Sequence, residues 1–315
     1  MGTVIRWTFY TYSMASSKFE CLQNEFISVN SLINVGLYER ALDKLYVLEK
    51  ESVGFPYSHL TSNIRSCIAF CLIKLDRVSE YILEKELFAE EVARLGDFDE
   101  AGDIYKDIGD TLKLGGKIDK SRVYYLLAKK SYETWVNTAC QVEPSPPEAW
   151  LAWSLVCGGE ASDGWVQKSD MYVEASHRFG EAEKARKDDK VLSGFYGSRK
   201  LFLMGRATLI MAIESAFGDQ NSKIYQSRCF FEQAIAADKN WKLAMACEKI
   251  VSALLSYKPC EEKTLQLMSA AKTDLDMIEK RATGAKLREL IDNYLNGTLR
   301  DVTSFCINFE QSVIL

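Results

Sequence analysis

The chain has 315 residues, of which 47% are hydrophobic and 26% charged, and its formal net charge is −5. That length corresponds to about two domains or to one elongated array of repeats, and the apolar content is too high for a disordered chain. The acidic balance argues against a general nucleic-acid-binding protein, which needs a basic surface.

The first thirteen residues, MGTVIRWTFYTYS, lack the long apolar segment and the cleavage site of a signal peptide. Met14, followed by Ala-Ser-Ser, has the features of a natural start. We therefore expect residues 1–13 to be an extension outside the fold.

Helical periodicity dominates the chain from there on. In residues 19–35 the apolar side chains recur at steps of three and four, at Leu22, Phe26, Val29 and Ile33. Runs of alternating apolar and polar residues between tight turns, which would predict strands, are absent beyond residue 13. We predict an all-α chain of about 13 to 15 helices.

Four short segments repeat a turn signal at a spacing that is a multiple of about 20 residues, one helix plus a tight turn. They begin at Gly36, Asp76, Gly96 and Gly116, and a missing member would fall near Pro56. Glycine, or aspartate, can end a helix in the left-handed conformation. Small residues such as Ala101 would then let successive helices approach closely. This series of helix-and-turn repeats predicts an α-solenoid of antiparallel helices.

These segments resemble the tetratricopeptide repeat (TPR). The stretch from Leu95 to Ile108 has that motif's glycine, an aromatic residue, the small Ala101 and the aromatic Tyr105. Residues 227–238, SRCFFEQAIAAD, resemble the end of the same helix, and residues 132–150 resemble a repeat end with its proline. The resemblance implies degenerate TPR-like repeats.

A helix pair in residues 97–132 is similar to the soluble NSF-attachment proteins, the SNAP family. The residues that carry this similarity are DFDEAGDIYKDIG at 97–109 and SRVYYLLAK at 121–129. It implies a TPR/SNAP-like right-handed α-solenoid. It also implies, as an alternative function, a vesicle-trafficking adaptor that coats the membrane-fusion bundle and recruits an AAA ATPase.

The sequence CGGEASDGWVQ at 157–167, together with the prolines at 144, 146 and 147, suggests a break in the array. We predict an N-terminal helical array over 14–157 and a C-terminal helical array over 166–315. The residues between them are expected to form a Gly-rich linker.

The nine cysteines are odd in number, contain no CxxC pair and mostly lie in apolar helical stretches. They fit buried reduced thiols better than a redox or metal site. We therefore expect an intracellular, cytoplasmic protein, with the nucleus as the alternative compartment. No stretch reaches the roughly 18 apolar residues of a transmembrane helix, so no integral membrane segment is expected.

The sequence contains few residues in patterns typical of catalytic sites. His59 and His177 are the only histidines, and the nucleophile, phosphate-binding and dinucleotide motifs are absent. A pair formed by His59 with Cys67 or Cys71 is the alternative, an enzyme with a hidden site. We expect no enzyme and no catalytic, metal or cofactor-binding residues.

The expected function is therefore that of a scaffold, or a subunit of a larger assembly, which binds another protein on a curved helical surface. Candidate partner-binding residues are Phe55, Tyr57 and Trp165; the first two could equally form a wedge between helices. Tryptophans also cluster between 135 and 165, where they would form either a peptide-binding site or, as we prefer, a buried joint. No nucleic acid is expected among the partners.

Overall fold

The structure, a computed structural model, describes most of the chain beyond residue 20. The described ranges are 21–33, 35–52, 64–65, 67–68, 71–72, 74–138, 146–215, 217–255, 261–277, 281–297, 299 and 301–313. Helices and short turns account for these ranges, which contain no strand, so the predicted all-α fold is confirmed. Residues 1–13, Phe55, Tyr57 and His59 lie outside the described residues.

The chain forms two compact units, the first ending at Arg94 and the second beginning at Leu95. The first unit contains helix α1 (21–33), α2 (Tyr38–Ser52), α3 (helical residues 64–65, 67–68, 71–72 and 74) and α4 (Val78–Leu95, whose last residue opens the second unit). Its core is formed by buried aliphatic side chains such as Leu22, Val29 and Leu45, with Tyr81. The periodic positions predicted from the sequence therefore face inward.

The described residues of the second unit form a series of ten helices. They are α5 (Phe98–Leu114), α6 (Ile118–Thr138), α7 (Pro147–Ala161), α8 (Trp165–Ala185), α9 (Lys190–Glu214), α10 (Phe217–Ala237), α11 (Lys242–Leu254), α12 (Glu262–Asp276), α13 (Arg281–Leu295) and α14 (Val302–Ser312). Each packs on the next one along the chain, as in an all-α helical repeat solenoid. The last two helices also pack back on earlier ones, α13 on α5, and α14 on α5 and α9.

The residues predicted to end helices adopt the left-handed backbone conformation expected of them. Positive φ angles occur at Gly36 (79°), Asp76 (58°), Gly96 (96°) and Gly116 (74°), each two residues before a helix begins. After α5, the amide of Gly116 donates to Lys113 O and the next amide donates to Leu112 O, at 3.0 and 2.9 Å. This is the Schellman pairing, which satisfies the last carbonyl groups of a helix. The left-handed helix ends are thus confirmed.

Helix pairs in the second unit share a close contact between a glycine and an aromatic ring. A methyl group on Gly102 of α5 would lie 2.6 Å from the ring of Tyr132 on α6. The same relation joins Gly159 of α7 to Tyr172 of α8, at 2.8 Å, and Gly205 of α9 to a phenylalanine of α10, at 2.7 Å. In each pair the missing side chain makes room for the ring of the following helix.

The segment around 158–161 differs from the expected linker. Helix α7 continues through it to Ala161, and only residues 162–164 separate α7 from α8. Gly158 and Gly159 are buried in the α7–α8 contact, so they serve close helix packing rather than chain flexibility. The proposed arrays 14–157 and 166–315 stay a prediction; α7 and α8 belong to the same compact unit.

A buried charge cluster as the candidate functional site

Five charged side chains from five helices meet inside the second unit. They are Lys113 of α5, Glu160 of α7, Lys168 of α8, Arg206 of α9 and Glu310 of α14, and all are buried. Glu160 accepts hydrogen bonds from all three cations. One of its carboxylate oxygens lies 2.8 Å from Lys113 Nζ and 3.1 Å from Lys168 Nζ, and the other lies 2.8 Å from Arg206 Nη2. The cluster thus links helices that are far apart in the sequence.

Helix α14 enters the cluster through Glu310. Its carboxylate accepts from Arg206, with Nε at 3.1 Å, and lies 3.2 Å from Lys168 Nζ. Lys113 also holds the end of α14, donating to the backbone carbonyls of Glu310 and Val313 at 3.1 and 3.2 Å. These charge-assisted hydrogen bonds fix the last described helix against α5, α8 and α9.

Tyr172 of α8 forms one wall of the cluster. Its hydroxyl donates to Glu160 at 2.7 Å and lies 3.2 Å from a Glu310 oxygen. The Arg206 guanidinium lies over the ring, 4.6 Å from its centroid. Because Gly159 leaves space for this ring, the close packing of α7 and α8 also positions the hydroxyl.

The cluster contains three cations and two carboxylates, so one positive charge is in excess. Burial, opposed in part by Glu160 and reinforced by the neighbouring cations, lowers the pKa of Lys113 to about 8. Burial alone would raise the pKa of Glu160, but Lys113, Lys168 and Arg206 together hold it well below its usual range. The pKa of Glu310 is lowered in the same way. Lys113 therefore loses its proton at a lower pH than an ordinary lysine does.

A second ion pair lies nearby and adds no net charge. Lys106 Nζ contacts Asp110 at 2.9 Å, and the hydroxyl of Tyr125 donates to the same carboxylate at 2.8 Å. Lys106 Nζ also lies 5.7 Å from the ring centroid of Trp153. Burial disfavours the charged Lys106, yet Asp110 raises its pKa above the usual value.

Two cavities adjoin the cluster. The smaller, about 80 Å³, lies between α5, α6, α7, α8 and α14, and the larger, about 300 Å³, lies between α5, the start of α6, α13 and α14. Lys113, Ile118 and Gln311 contribute to the walls of both. Through Lys113 the cluster therefore reaches the walls of both cavities.

Of the three predicted partner-binding residues, the structure describes Trp165. It is half-buried in the first turn of α8, lines the smaller cavity and has its ring centroid 5.9 Å from Lys168 Nζ. Phe55 and Tyr57 cannot be placed, because they lie outside the described residues. The residues of the cluster itself were not predicted.

No protein-family model matches the chain, and no curated protein matches it significantly. The TPR and SNAP resemblances therefore gain no support from these two comparisons.

The tryptophans near the predicted break take part in helix packing. Trp150 stacks on Tyr132 at a centroid distance of 5.8 Å, and Trp153 meets Phe179 edge-on at 5.3 Å. Trp135 is buried as well. These contacts favour the interpretation of a buried joint between α6, α7 and α8.

Four of the described thiols are buried, those of Cys71, Cys157, Cys247 and Cys306. Burial raises the pKa of Cys71 to about 11 and of Cys306 to about 12, and it raises those of Cys157 and Cys247 further. A raised pKa keeps a thiol protonated and a poor nucleophile. Among the side chains that the structure places, no three His, Cys, Asp or Glu residues are grouped to hold a metal ion. No described helix is both long and apolar enough to cross a bilayer.

Proposed function

We propose that the protein is a non-enzymatic scaffold, or a subunit of a larger assembly, that binds a partner protein on its helical surface. The observation that carries this proposal is an apolar stripe on α6. Val123, Leu126 and Leu127 are 56%, 54% and 37% exposed. They lie at i, i+3 and i+4, so they share one helix face.

The chemistry around the stripe suggests the kind of partner. Lys120 and Lys130 continue the same face at either end and are exposed. An amphipathic helix with an apolar stripe and acidic flanks would complement this surface. A scaffold role also agrees with the state of the buried groups. Both carboxylates of the cluster are paired with buried cations, and burial keeps the thiols protonated.

The test compares Leu126→Lys with a control, Val191→Lys, which changes an apolar residue on α9 that is more exposed, 80% against 54%. The wild type and both variants are used to capture proteins from the native cell, and the amount of each captured protein is compared by mass spectrometry. We expect a stoichiometric partner to be lost with Leu126→Lys and kept with Val191→Lys. If every captured protein binds both variants equally, the stripe does not bind a partner.

The alternative is a SNAP-like trafficking adaptor for an AAA ATPase. Its support is the resemblance over 97–132, a range that coincides with the packed helix pair α5 and α6. In this case the chain should bind assembled membrane-fusion bundles and raise the turnover of the ATPase on them. Absence of both activities would leave the general scaffold as the proposal.

A further inference from the structure

The outward face of α8 carries charge opposite to that of the outward face of α6. Asp170 and Glu174 of α8 are exposed and lie at i and i+4, so they share one side of the helix. The same side carries Val166, which is 61% exposed, and the half-buried Val173. Helix α8 thus combines exposed apolar and acidic side chains, the pattern that complements the apolar stripe of α6 and its two lysines.

The charges on these two outward faces form no ion pair with any residue that the structure places. They are the exposed side chains of Lys120 and Lys130 on α6 and of Asp170 and Glu174 on α8. Elsewhere on α8 an exposed charge is paired within the helix, as Arg178 is with Glu181 at 3.2 Å. The two outward faces therefore offer charges that a docked surface can pair.

Helices α6 and α8 lie side by side. Both pack on α7, and their first turns meet where Arg122 of α6 forms an ion pair with Asp163 in the turn before α8. The smaller cavity spans the same junction, with Ile118 and Trp165 in its walls. Since consecutive helices of the array run antiparallel, α6 and α8 run in the same direction, and their faces turned away from α7 form one surface.

This two-helix surface complements itself. A two-fold axis that runs along the helices and between them places α6 of one copy on α8 of the other, and does so twice. Because α6 begins at Ile118 and α8 at Trp165, Lys130 then lies within about one helical turn of the level of Glu174. An arrangement with α6 on α6 would instead bring lysines together, which electrostatic repulsion disfavours.

The size of the surface fits a weak, reversible dimer. Helices α6 and α8 have 21 residues each, which makes each about 30 Å long. At a diameter of about 10 Å per helix, the pair presents about 600 Å² in each copy. The total of about 1,200 Å² for two copies is the lower end of the range for specific interfaces.

We propose that a second copy of the chain is the partner of the α6 stripe, in a two-fold symmetric dimer that pairs α6 of each copy with α8 of the other. The stripe packs alongside Val166 and Val173 of the other copy, and the lysines that flank it meet Asp170 and Glu174. This proposal rests on the proposed function, because it names the partner of the same surface.

Sedimentation equilibrium of the full chain tests the dimer. We expect the dimer fraction to rise with protein concentration and to fall with added salt, which screens exposed charges. Lys130→Glu and Glu174→Lys should each weaken the dimer about tenfold or more, since each creates two repulsive contacts per dimer. A chain that remains monomeric up to millimolar concentration would overturn the proposal.

A mixture of the two variants separates loss of the contact from loss of folding. In a mixed dimer one copy has an acid at both positions and the other has a lysine at both, so both contacts become attractive again. We expect the mixed dimer to form with about the wild-type affinity, although each variant alone dimerises poorly. Lys263→Glu, which reverses an exposed charge on α12, is the control and should leave the dimer unchanged. A mixture as weakly associated as the separate variants would rule out the α6–α8 pairing.

The failure of this proposal can be told from the failure of the proposed function. If the chain is monomeric while capture of a different protein depends on Leu126, the second copy is not the partner and the scaffold role stands. If every captured protein, further copies of the chain included, binds Leu126→Lys as well as the wild type, both proposals fail.

Discussion

At the scale of single residues, the charge balance of the cluster decides which substitutions are tolerated. Glu310→Gln would leave three buried cations with one carboxylate, whereas Lys113→Met would leave two of each sign. We expect the first to lower the free energy of unfolding by about 3–5 kcal/mol, the usual cost of an unpaired buried charge. Lys113→Met should cost less, about 1–3 kcal/mol, for hydrogen-bond acceptors left unpaired.

Urea unfolding followed by circular dichroism measures both changes. Glu181→Gln is the control, because Glu181 pairs with Arg178 on the exposed face of α8 and its loss should cost under about 1 kcal/mol. A larger loss of stability in Lys113→Met than in Glu310→Gln would contradict the charge balance.

At the scale of helices, the glycine–aromatic contacts determine how closely a pair packs. Gly102→Ala would place a methyl group against the ring of Tyr132, whose hydroxyl is held by Asp103 at 2.6 Å. We expect a loss of about 1–3 kcal/mol from overpacking, reduced by the roughly 1 kcal/mol by which alanine favours the helix. Thermal unfolding measures the net change.

The control for this prediction is Gly115→Ala at the end of the same helix. Gly115 has a φ of −75°, and an added methyl group there would make ordinary contacts. Its effect should stay within about 0.5 kcal/mol in either direction. Equal shifts in Tm for the two variants would contradict the contact between Gly102 and Tyr132.

The sequence was sufficient to predict the helices and several of their ends, because these depend on local residues. The left-handed positions at Gly36, Asp76, Gly96 and Gly116 follow from short-range sterics, and the buried Ala101 follows from helical spacing. Gly158 and Gly159 inside α7 were mistaken for a linker, since the side chains that fill their space, Met171 and Tyr172, come from another helix.

The candidate site could not be predicted in the same way. Glu160, Arg206 and Glu310 are 46 and 104 residues apart along the chain, so only the folded array brings them together. The one available signal was a charge within an apolar stretch, as for Arg206 between Leu203 and Leu209. An isolated charge in a helix usually lies on a solvated face, and nothing local identifies its partner.

At the scale of the whole molecule, stability should depend on pH at both ends of the range. Glu160 and Glu310 have a lowered pKa in the fold, so their stabilisation is present above about 4.5 and is lost as the pH falls. The buried thiols have a raised pKa, so above about 9 they ionise first in the unfolded chain, which lowers stability. Unfolding in reducing buffer from pH 3 to 10 should therefore show a maximum in between.

At alkaline pH the titration of Lys113 changes the free energy of unfolding in the direction opposite to that of the thiols. Its pKa is about 8 in the fold against 10.5 in the unfolded chain, so between these values the unfolded state binds more protons and stability rises with pH. The difference in unfolding free energy between the wild type and Lys113→Met should grow in favour of the wild type over this interval. A constant difference from pH 7 to 10 would show that Lys113 does not titrate early.

The contact of Lys113 with the carbonyl of Val313 joins residues 200 positions apart. In an open array each repeat can fold as soon as its neighbour exists, and contact order stays low. Here α14 reaches back to α5 and α9, so in a nascent chain Arg206 and Lys168 lack Glu310 until α14 has been synthesised. The contacts of α14 with α5 and α9 thus raise the contact order of the second unit above that of an open series of helices.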